Sequence, residues 1–538
     1  MVKQFGNVYL ISGIAIIGGA LFGFDISSMS AIIVTQGYRC YFNQNSDTAY
    51  PNCAGPNPNV QGGITAAMPG GSWLGAILSG FVSDILGRKK AIMTGAVIWC
   101  IGSIISCAAV NIPMLVVGRI INGFSVGICS AQVPVYITEI APPSKRGRLV
   151  GAQQWAITWG IMIMFYISYG CSYINGGRGT AVFRAPWGLQ MIPAVVLFFG
   201  MIVLPESPRW LASKDRWEDC KQVLILTHGK GDPQSPFVAR EFQEIKNWLQ
   251  IEQQSKQVSY LELFSKKNIN RTHIGLFTQI WSQLTGMNVM MYYIGYVFTM
   301  AGLSGNNLLV SSSIQYIINV VMTVPALLFV DRWGRRPTLL IGALLMATWL
   351  FANAGIMARY GTDPGPQGVD NQEVASVALS GAPAKAVIAC TYLFVASYAP
   401  TWGPVSWIYP PELFPNRLRG KAVALATSGN WAFNFALAYF VPPAFVNIRW
   451  ATYILFGVFC IAMFIHVFFL FPETSAKPLE EITEMFEDPN GIKYLGTPAW
   501  KTRNFYSITA RMEHGHDLEK RVSEEQSPER LSVGNDKA

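Results

Sequence analysis

Apolar residues gather into about twelve long runs, at roughly 8–30, 61–82, 91–110, 113–138, 149–171, 187–204, 273–300, 307–330, 338–358, 384–410, 421–441 and 450–471. Each approaches the ~20 residues with which a helix crosses hydrocarbon, so the pattern predicts membrane-spanning helices. Gly and Pro interrupt the runs at 113–138 and 384–410. The run at 274–301 reads as one helix, yet it carries Gln279, Gln283, Asn288, Tyr292 and Tyr293. Unpaired amides in hydrocarbon cost several kcal/mol, so these side chains must face other helices or a watery cavity. They are either struts between helices or ligands for something polar that enters the membrane.

Composition agrees with the pattern. Hydrophobic residues make up 51% of the 538 and charged residues 13%, against ~25% charged in soluble domains. The net charge of +9 does not indicate nucleic acid, because Lys and Arg fall in alternate loops. Arg88-Lys89-Lys90, Lys145-Arg146-Arg148, the 206–271 segment, Arg332/Arg335/Arg336 and Arg417/Arg419/Lys421 are basic, and the loops between them are poor in charge. The positive-inside rule places the basic loops and both termini in the cytoplasm. The first run contains Asp25 and lacks a cleavage pattern after it, so it reads as a retained helix. Cys40 and Cys53 share the one long outward loop, where a disulfide or two free thiols are both open. No cysteine spacing suggests a metal site, and there is no nucleotide loop or nucleophile–base pair. Neither an enzyme nor a cofactor is expected.

The composition changes twice. Residues 206–271 are charged and Gln/Lys-rich, with helical pieces at 237–252 and 260–265, and read as a cytoplasmic linker. Residues 474–538 form a polar tail, expected to be largely disordered after about 490. The predicted architecture is all-α: twelve transmembrane helices in two six-helix halves, 1–205 and 272–473. Three patterns recur in the same order in each half. Asp84-Ile-Leu-Gly87-Arg88-Lys89 matches Asp331-Arg-Trp-Gly334-Arg335-Arg336. Glu139 followed by Arg146-Gly147 matches Glu412 followed by Arg419-Gly420. Pro205-Glu206-Ser207 matches Pro472-Glu473-Thr474. Duplicated halves about a central site are a transporter plan. The acids and bases at these cytoplasmic turns are expected to pair between the halves when that side is shut. Such pairs are worth about 0–1 kcal/mol each, enough in number to bias a rocking equilibrium.

At these residues the chain resembles the sugar porter family of the major facilitator superfamily, over about 13–486. The motifs are Gly80-Phe-Val-Ser-Asp84-Ile-Leu-Gly87-Arg88-Lys89, Gly118-Arg119-Ile-Ile-Asn-Gly123, Pro134-Val-Tyr136-Ile-Thr-Glu139, Pro205-Glu206-Ser-Pro-Arg209-Trp-Leu, Gln283-Leu-Thr-Gly-Met-Asn288, Gly403-Pro-Val-Ser-Trp407 and Pro472-Glu473-Thr474. Phe22-Gly-Phe-Asp25-Ile-Ser-Ser-Met-Ser30 is most similar to fungal high-affinity monosaccharide proton symporters. The resemblance implies a pyranose site near the midplane formed by Gln154, Gln283, Asn288, Asn319 and Asn430. Trp407 would lie along the ring, with Tyr292, Tyr293 and Trp431 nearby. Amides offer donor and acceptor to neighbouring hydroxyls. Many family members have a second Gln where this chain has Ser282, so one sugar contact differs.

An Asp inside a span is a functional-site candidate by default. The resemblance places Arg119 beside Asp25 and gives the pair to proton coupling, although facilitators with a similar Asp exist. It gives cytoplasmic gating to Asp84, Arg88, Glu139, Arg146, Glu206, Arg209, Asp331, Arg335, Glu412, Arg419 and Glu473. The expected protein imports a monosaccharide, glucose and also xylose, with a proton across the plasma membrane by alternating access. Its partners are the sugar, the proton and membrane lipid, and it works as a monomer. A facilitated uniporter, a sugar sensor that does not transport, and a polyol, quinate or disaccharide substrate are the alternatives.

Overall fold

A computed structural model describes residues 6–44, 53–229, 231–254, 260–475, 482, 483, 485 and 486; the side chains of residues 143–147, 248, 251–254, 331, 416 and 417 lie outside that description. Arg146, the Asp331 side chain and the tail after 490 are therefore beyond it.

Each apolar run sits on a helix. The first half comprises α1 (Val8–Ile32), α2 (Pro58–Leu86), α3 (Arg88–Cys107), α4 (Ile112–Ile140), α5 (Pro143–Cys171) and α6 (Ala181–Ile202). The second comprises α7 (Ile269–Leu284, resuming as Met287–Met300), α8 (Gly305–Trp333), α9 (Arg335–Tyr360), α10 (Gly381–Leu413, interrupted after Tyr398), α11 (Asn416–Asn447) and α12 (Ala451–Leu470). Between the halves lie short helices at Pro208–Ser213, Trp217–Thr227 and Pro236–Gln254, joined through an apolar cluster of Leu211, Val223, Leu224, Val238 and Ile245.

Eight of the twelve segments are long and apolar enough to cross a membrane by composition, among the described residues. The other four are α2, α5, α7 and α11. They are diluted by small and polar residues, which suit the faces that pack closely on other helices. The α2–α4 contact shows this. Gly71 and Gly75 on α2 lie against backbone carbonyls of Ile120 and Phe124, and Gly123 and Gly127 on α4 lie against those of Met68 and Ser72. No Cβ fits at any of the four. Three of the four polar helices, α5, α7 and α11, carry four of the five predicted site amides; Asn319 lies on α8 and Trp407 on α10.

The halves meet through hydrogen bonds on one face. The Tyr169 and Tyr173 hydroxyls donate to Asn306 Oδ1 (2.6 and 2.7 Å), and Tyr316 donates to Ser30 Oγ (2.9 Å). Arg39 reaches the loop between α9 and α10, at Asp370. The same face carries the Cys40–Cys53 disulfide, which settles the question the spacing left open. Deeper, Trp431 donates to Ser130 Oγ (3.2 Å) and stands edge-on to Phe22. Trp431 thus packs between the halves.

Candidate functional site

The run at 274–301 is not one continuous helix. Gly286 adopts φ +82°, and the chain restarts at Met287 with the Thr285 hydroxyl accepting from its N–H (3.3 Å). The break has a consequence for the amides. On an unbroken helix Gln283 and Asn288 would point about 140° apart, at ~100° per residue. Across the break they meet: Asn288 Nδ2 donates to Gln283 Oε1 at 2.8 Å.

From there a chain of amides runs through three helices. Gln283 Nε2 donates to Asn430 Oδ1 on α11 (3.0 Å), Asn430 Nδ2 donates to Gln279 Oε1, and Gln279 Nε2 donates to the Ser406 carbonyl on α10 (2.8 Å). Gln279 belongs to this chain, although its place was not foreseen beyond its being a polar residue in an apolar run. Ser406 adjoins Trp407, which with Asn288 keeps partial exposure while the rest of the chain is buried. Gln154 on α5 brings its Nε2 beside Gly403, one turn before Trp407. So Gln283, Asn288 and Asn430 meet at the α7 break, and Gln154 reaches the α10 segment that carries Trp407.

The remaining predicted members differ in their state. Asn319 is buried on α8 with an unpartnered Oδ1. The Tyr293 hydroxyl is committed to the Ala438 carbonyl (2.7 Å), tying α7 to α11, whereas Tyr292 lies within electrostatic reach of Asp25 and Arg119. Ser282 shares a hydrogen bond with the Tyr398 hydroxyl (3.0 Å).

Asp25 and Arg119 form a forked pair, Oδ2 to Nη2 at 2.9 Å and Oδ1 to Nη1 at 3.4 Å, each at most 2% exposed. Arg119 Nε also donates to the Ile64 carbonyl (2.8 Å), which fastens the pair to α2. A buried pair so supplied with hydrogen bonds is costly to break from one side.

On the basic face the repeated motifs build two matching clusters. Gly87 and Gly334 take φ of +93° and +84°, a region open to glycine, and backbone N–H just after each turn donates to a Glu. Lys89 N–H and Ser207 N–H donate to Glu206 (3.0 and 2.9 Å); Arg335 N–H and Arg336 N–H donate to Glu473 (2.9 and 3.1 Å). Burial still holds the Glu206 carboxyl above its usual range, against those N–H groups. Arg88 pairs with Glu139 (3.2 Å) and Arg335 with Glu412 (2.8 Å). Asp84 pairs with Arg88 at 3.6 Å from an exposed position, Arg419 donates to the Phe414 carbonyl (3.1 Å), and half-buried Arg209 follows Ser207 and Pro208 on its short helix.

The pairs described above run within each half, whereas the expected pairing between the halves belongs to a state with the cytoplasmic side shut. The reason is local. The glycine turn points each Arg back along its own helix pair, where a Glu of the same half already waits. Two further members were missed, Tyr136 and Tyr409, whose hydroxyls donate to the Pro205 and Pro472 carbonyls (2.7 and 2.6 Å). The signal was present: each stands three residues before its Glu.

A family model described as "Sugar (and other) transporter" matches residues 11–486. The chain belongs to this sugar transporter family of the major facilitator superfamily. It is 48% identical to a high-affinity glucose transporter of Kluyveromyces lactis, over 93% of this chain and 87% of that one. It is 45% identical to high-affinity glucose transporter 1 of Candida albicans, over 97% and 94%. Among solved structures it is similar to the proton:xylose symporter XylE of E. coli bound to 6-bromo-6-deoxy-D-glucose, with a TM-score of 0.73 at 27% identity, covering 89% of this chain and 99% of that one. This sugar transporter is therefore a multi-pass, all-helical membrane protein and not an enzyme.

Proposed function

We propose that this transporter imports a monosaccharide, glucose first and xylose second, together with a proton. It would work by alternating access as a monomer in the plasma membrane. Six spans lie in each half, 1–205 and 272–473, with the basic face and both termini cytoplasmic and the disulfide face outside. The single observation that carries the reading is that one bundle holds both a buried Asp–Arg pair and an amide chain running through α7, α10 and α11. Amides supply the donors and acceptors that vicinal hydroxyls need, and the names of the glucose-transporting relatives and of the proton:xylose symporter support the substrate and the proton.

In this reading, protonation of Asp25 releases Arg119 and loosens α1 from α4. The halves then rock about the contacts near Trp431. The two glycine-turn clusters stiffen each half at its cytoplasmic end, so that gating there moves two rigid bodies past each other. One observation favours facilitated uniport instead: Arg119 holds both Asp25 oxygens and a backbone carbonyl, as a purely structural pair would.

The deciding experiment records external pH as glucose is added to de-energised cells expressing the protein, with labelled uptake in parallel. Uptake with alkalinisation is the expected result. Uptake without it makes the protein a uniporter, and no uptake of any monosaccharide removes the import reading.

A further inference from the structure

The loop between α9 and α10, residues 361–380, is folded onto the disulfide face. At its base Thr362 and Ala378 exchange both backbone hydrogen bonds (2.9 Å each). Three contacts root it in the second half. Leu379 N–H donates to the Met300 carbonyl at the end of α7 (2.9 Å), the Ser376 hydroxyl donates to the Phe445 carbonyl on α11, and Asp363 pairs with Arg449 (2.8 Å). Val374, Ala375 and Val377 are buried.

The tip of the loop is a tight turn. Gln372 N–H donates to the Val369 carbonyl (3.1 Å), and the two residues between them, Asp370 and Asn371, take φ of +55° and +53°. Two consecutive positive φ values belong to a type I′ turn, and Asp and Asn tolerate them better than other side chains do. The hydrogen bond of that turn uses neither central carbonyl, so both are left for a donor outside it. Arg39 is that donor. Its Nη2 donates to the carbonyls of Asp370 (2.8 Å) and Asn371 (3.2 Å), and its Nη1 stands 3.5 Å from the Asp370 carboxylate.

Arg39 belongs to the first half and is held there from either side. Tyr38 donates to Gln61 Oε1 on α2 (3.1 Å), and Cys40 is bonded to Cys53. Arg39 itself is 2% exposed, with Gly55 against its side chain. Beside the contact a cavity of about 280 Å³, lined by Ile33 and Arg39 from one half and Tyr296 and Val374 from the other, parts the two walls. The guanidinium reaches across where the walls do not pack.

We propose that the 361–380 loop is a strap rooted in the second half and latched by Arg39 of the first, and that the latch releases each time the outer side opens. The proposal rests on the alternating-access reading above. Strap and catch are each fastened to their own half, so parting the halves breaks the contact at the turn, where three acceptors share one guanidinium. The contact exists only with the outer side closed, and it therefore lowers the population of the outer-open state. Its strength sets how often the empty transporter presents its site outside.

The test reads the outer separation of the halves in the full-length protein in lipid nanodiscs. Spin labels are placed at Val110 and Ile448, two exposed positions at the outer ends of α3 and α11. Non-natural ketone side chains carry them, which leaves the native cysteines alone. Pulsed dipolar spectroscopy then gives the ratio of longer to shorter distance for wild type, Arg39→Met, Asp370→Asn and the double variant, each shown to be folded by thermal unfolding. Arg39→Met should raise the ratio about tenfold or more, because hydrogen bonds to a charged group are lost. Asp370→Asn keeps the turn and both carbonyls and should raise it less, about two- to threefold, since only a charge contact goes. The double variant should match Arg39→Met, the mark of two residues sharing one interaction. Unchanged ratios in the folded variants overturn the latch, and so do effects that simply add in the double variant. If Arg39→Met does not fold, Asp370→Asn decides alone, and an unchanged ratio there overturns the latch. A single distance in wild type and every variant, with and without glucose, overturns the alternating-access reading and the latch with it.

Discussion

Gln283 occupies the middle of the amide chain, accepting from Asn288 and donating to Asn430, so its removal orphans a partner on each side. Each lost hydrogen bond is worth ~0.5–1.5 kcal/mol. Gln283→Ala is therefore expected to weaken sugar binding ten- to a hundredfold in equilibrium binding, with the protein still folded at the membrane. Unchanged affinity would move the site elsewhere. Asp25→Asn acts differently. It leaves Arg119 charged and buried with neutral acceptors only, the Ile64 and Thr65 carbonyls and the new amide oxygen, and an uncompensated buried charge typically costs ~3–5 kcal/mol. The variant is expected to lose uphill accumulation while retaining sugar counterflow, and to unfold at a lower temperature. Undiminished accumulation would place the coupling group elsewhere. At this scale the sequence was informative because a charge or amide inside an apolar run is conspicuous. What it withheld was the geometry that joins them: nothing in the spacing of Gln283 and Asn288 announces that Gly286 folds one onto the other. The Arg39–Asp370 contact was equally hidden, since it links distant loops with no local signature.

Helices α2 and α4 show what the inner elements require. Their backbones touch through four glycines, and a side chain at Gly123 would run into the Met68 carbonyl and the Ser72 amide. Gly123→Leu has nowhere to place its Cβ and is expected to leave no folded protein at the membrane, as judged by yield and monodispersity after extraction. A milder test lies in the cytoplasmic clusters. Tyr409→Phe removes one hydroxyl from the Pro472 carbonyl, a loss of ~0.5–1.5 kcal/mol, visible as a small drop in unfolding midpoint; Tyr136→Phe should match it, because the two clusters are built alike. Unequal effects would show that the repeat is geometric without being energetic. Hydropathy located each of the twelve long segments, yet it underrates α2, α5, α7 and α11. The elements that look least like membrane spans spend small and polar residues on their packed faces, and three of them carry four of the five site amides.

For the whole molecule, the question is whether the halves move against each other on the disulfide face. There the end of α1 meets the second part of α7: a Cβ placed at Gly295 would lie 3.6 Å from the Val34 Cβ. Disulfides form at Cβ separations of about 3.5–4.5 Å, and the one crowding atom near Gly295, Val34 Cγ1, disappears when Val34 becomes cysteine. The double variant Val34→Cys/Gly295→Cys is thus placed to close a bond between the halves in the state described here. If uptake requires these two surfaces to part, oxidation should stop transport almost completely and a reductant should restore it. Each single variant should keep transporting under the same oxidant. Transport that continues after the cross-link is verified by mass spectrometry would mean that α1 and α7 travel together. The path for sugar would then have to open elsewhere on that face.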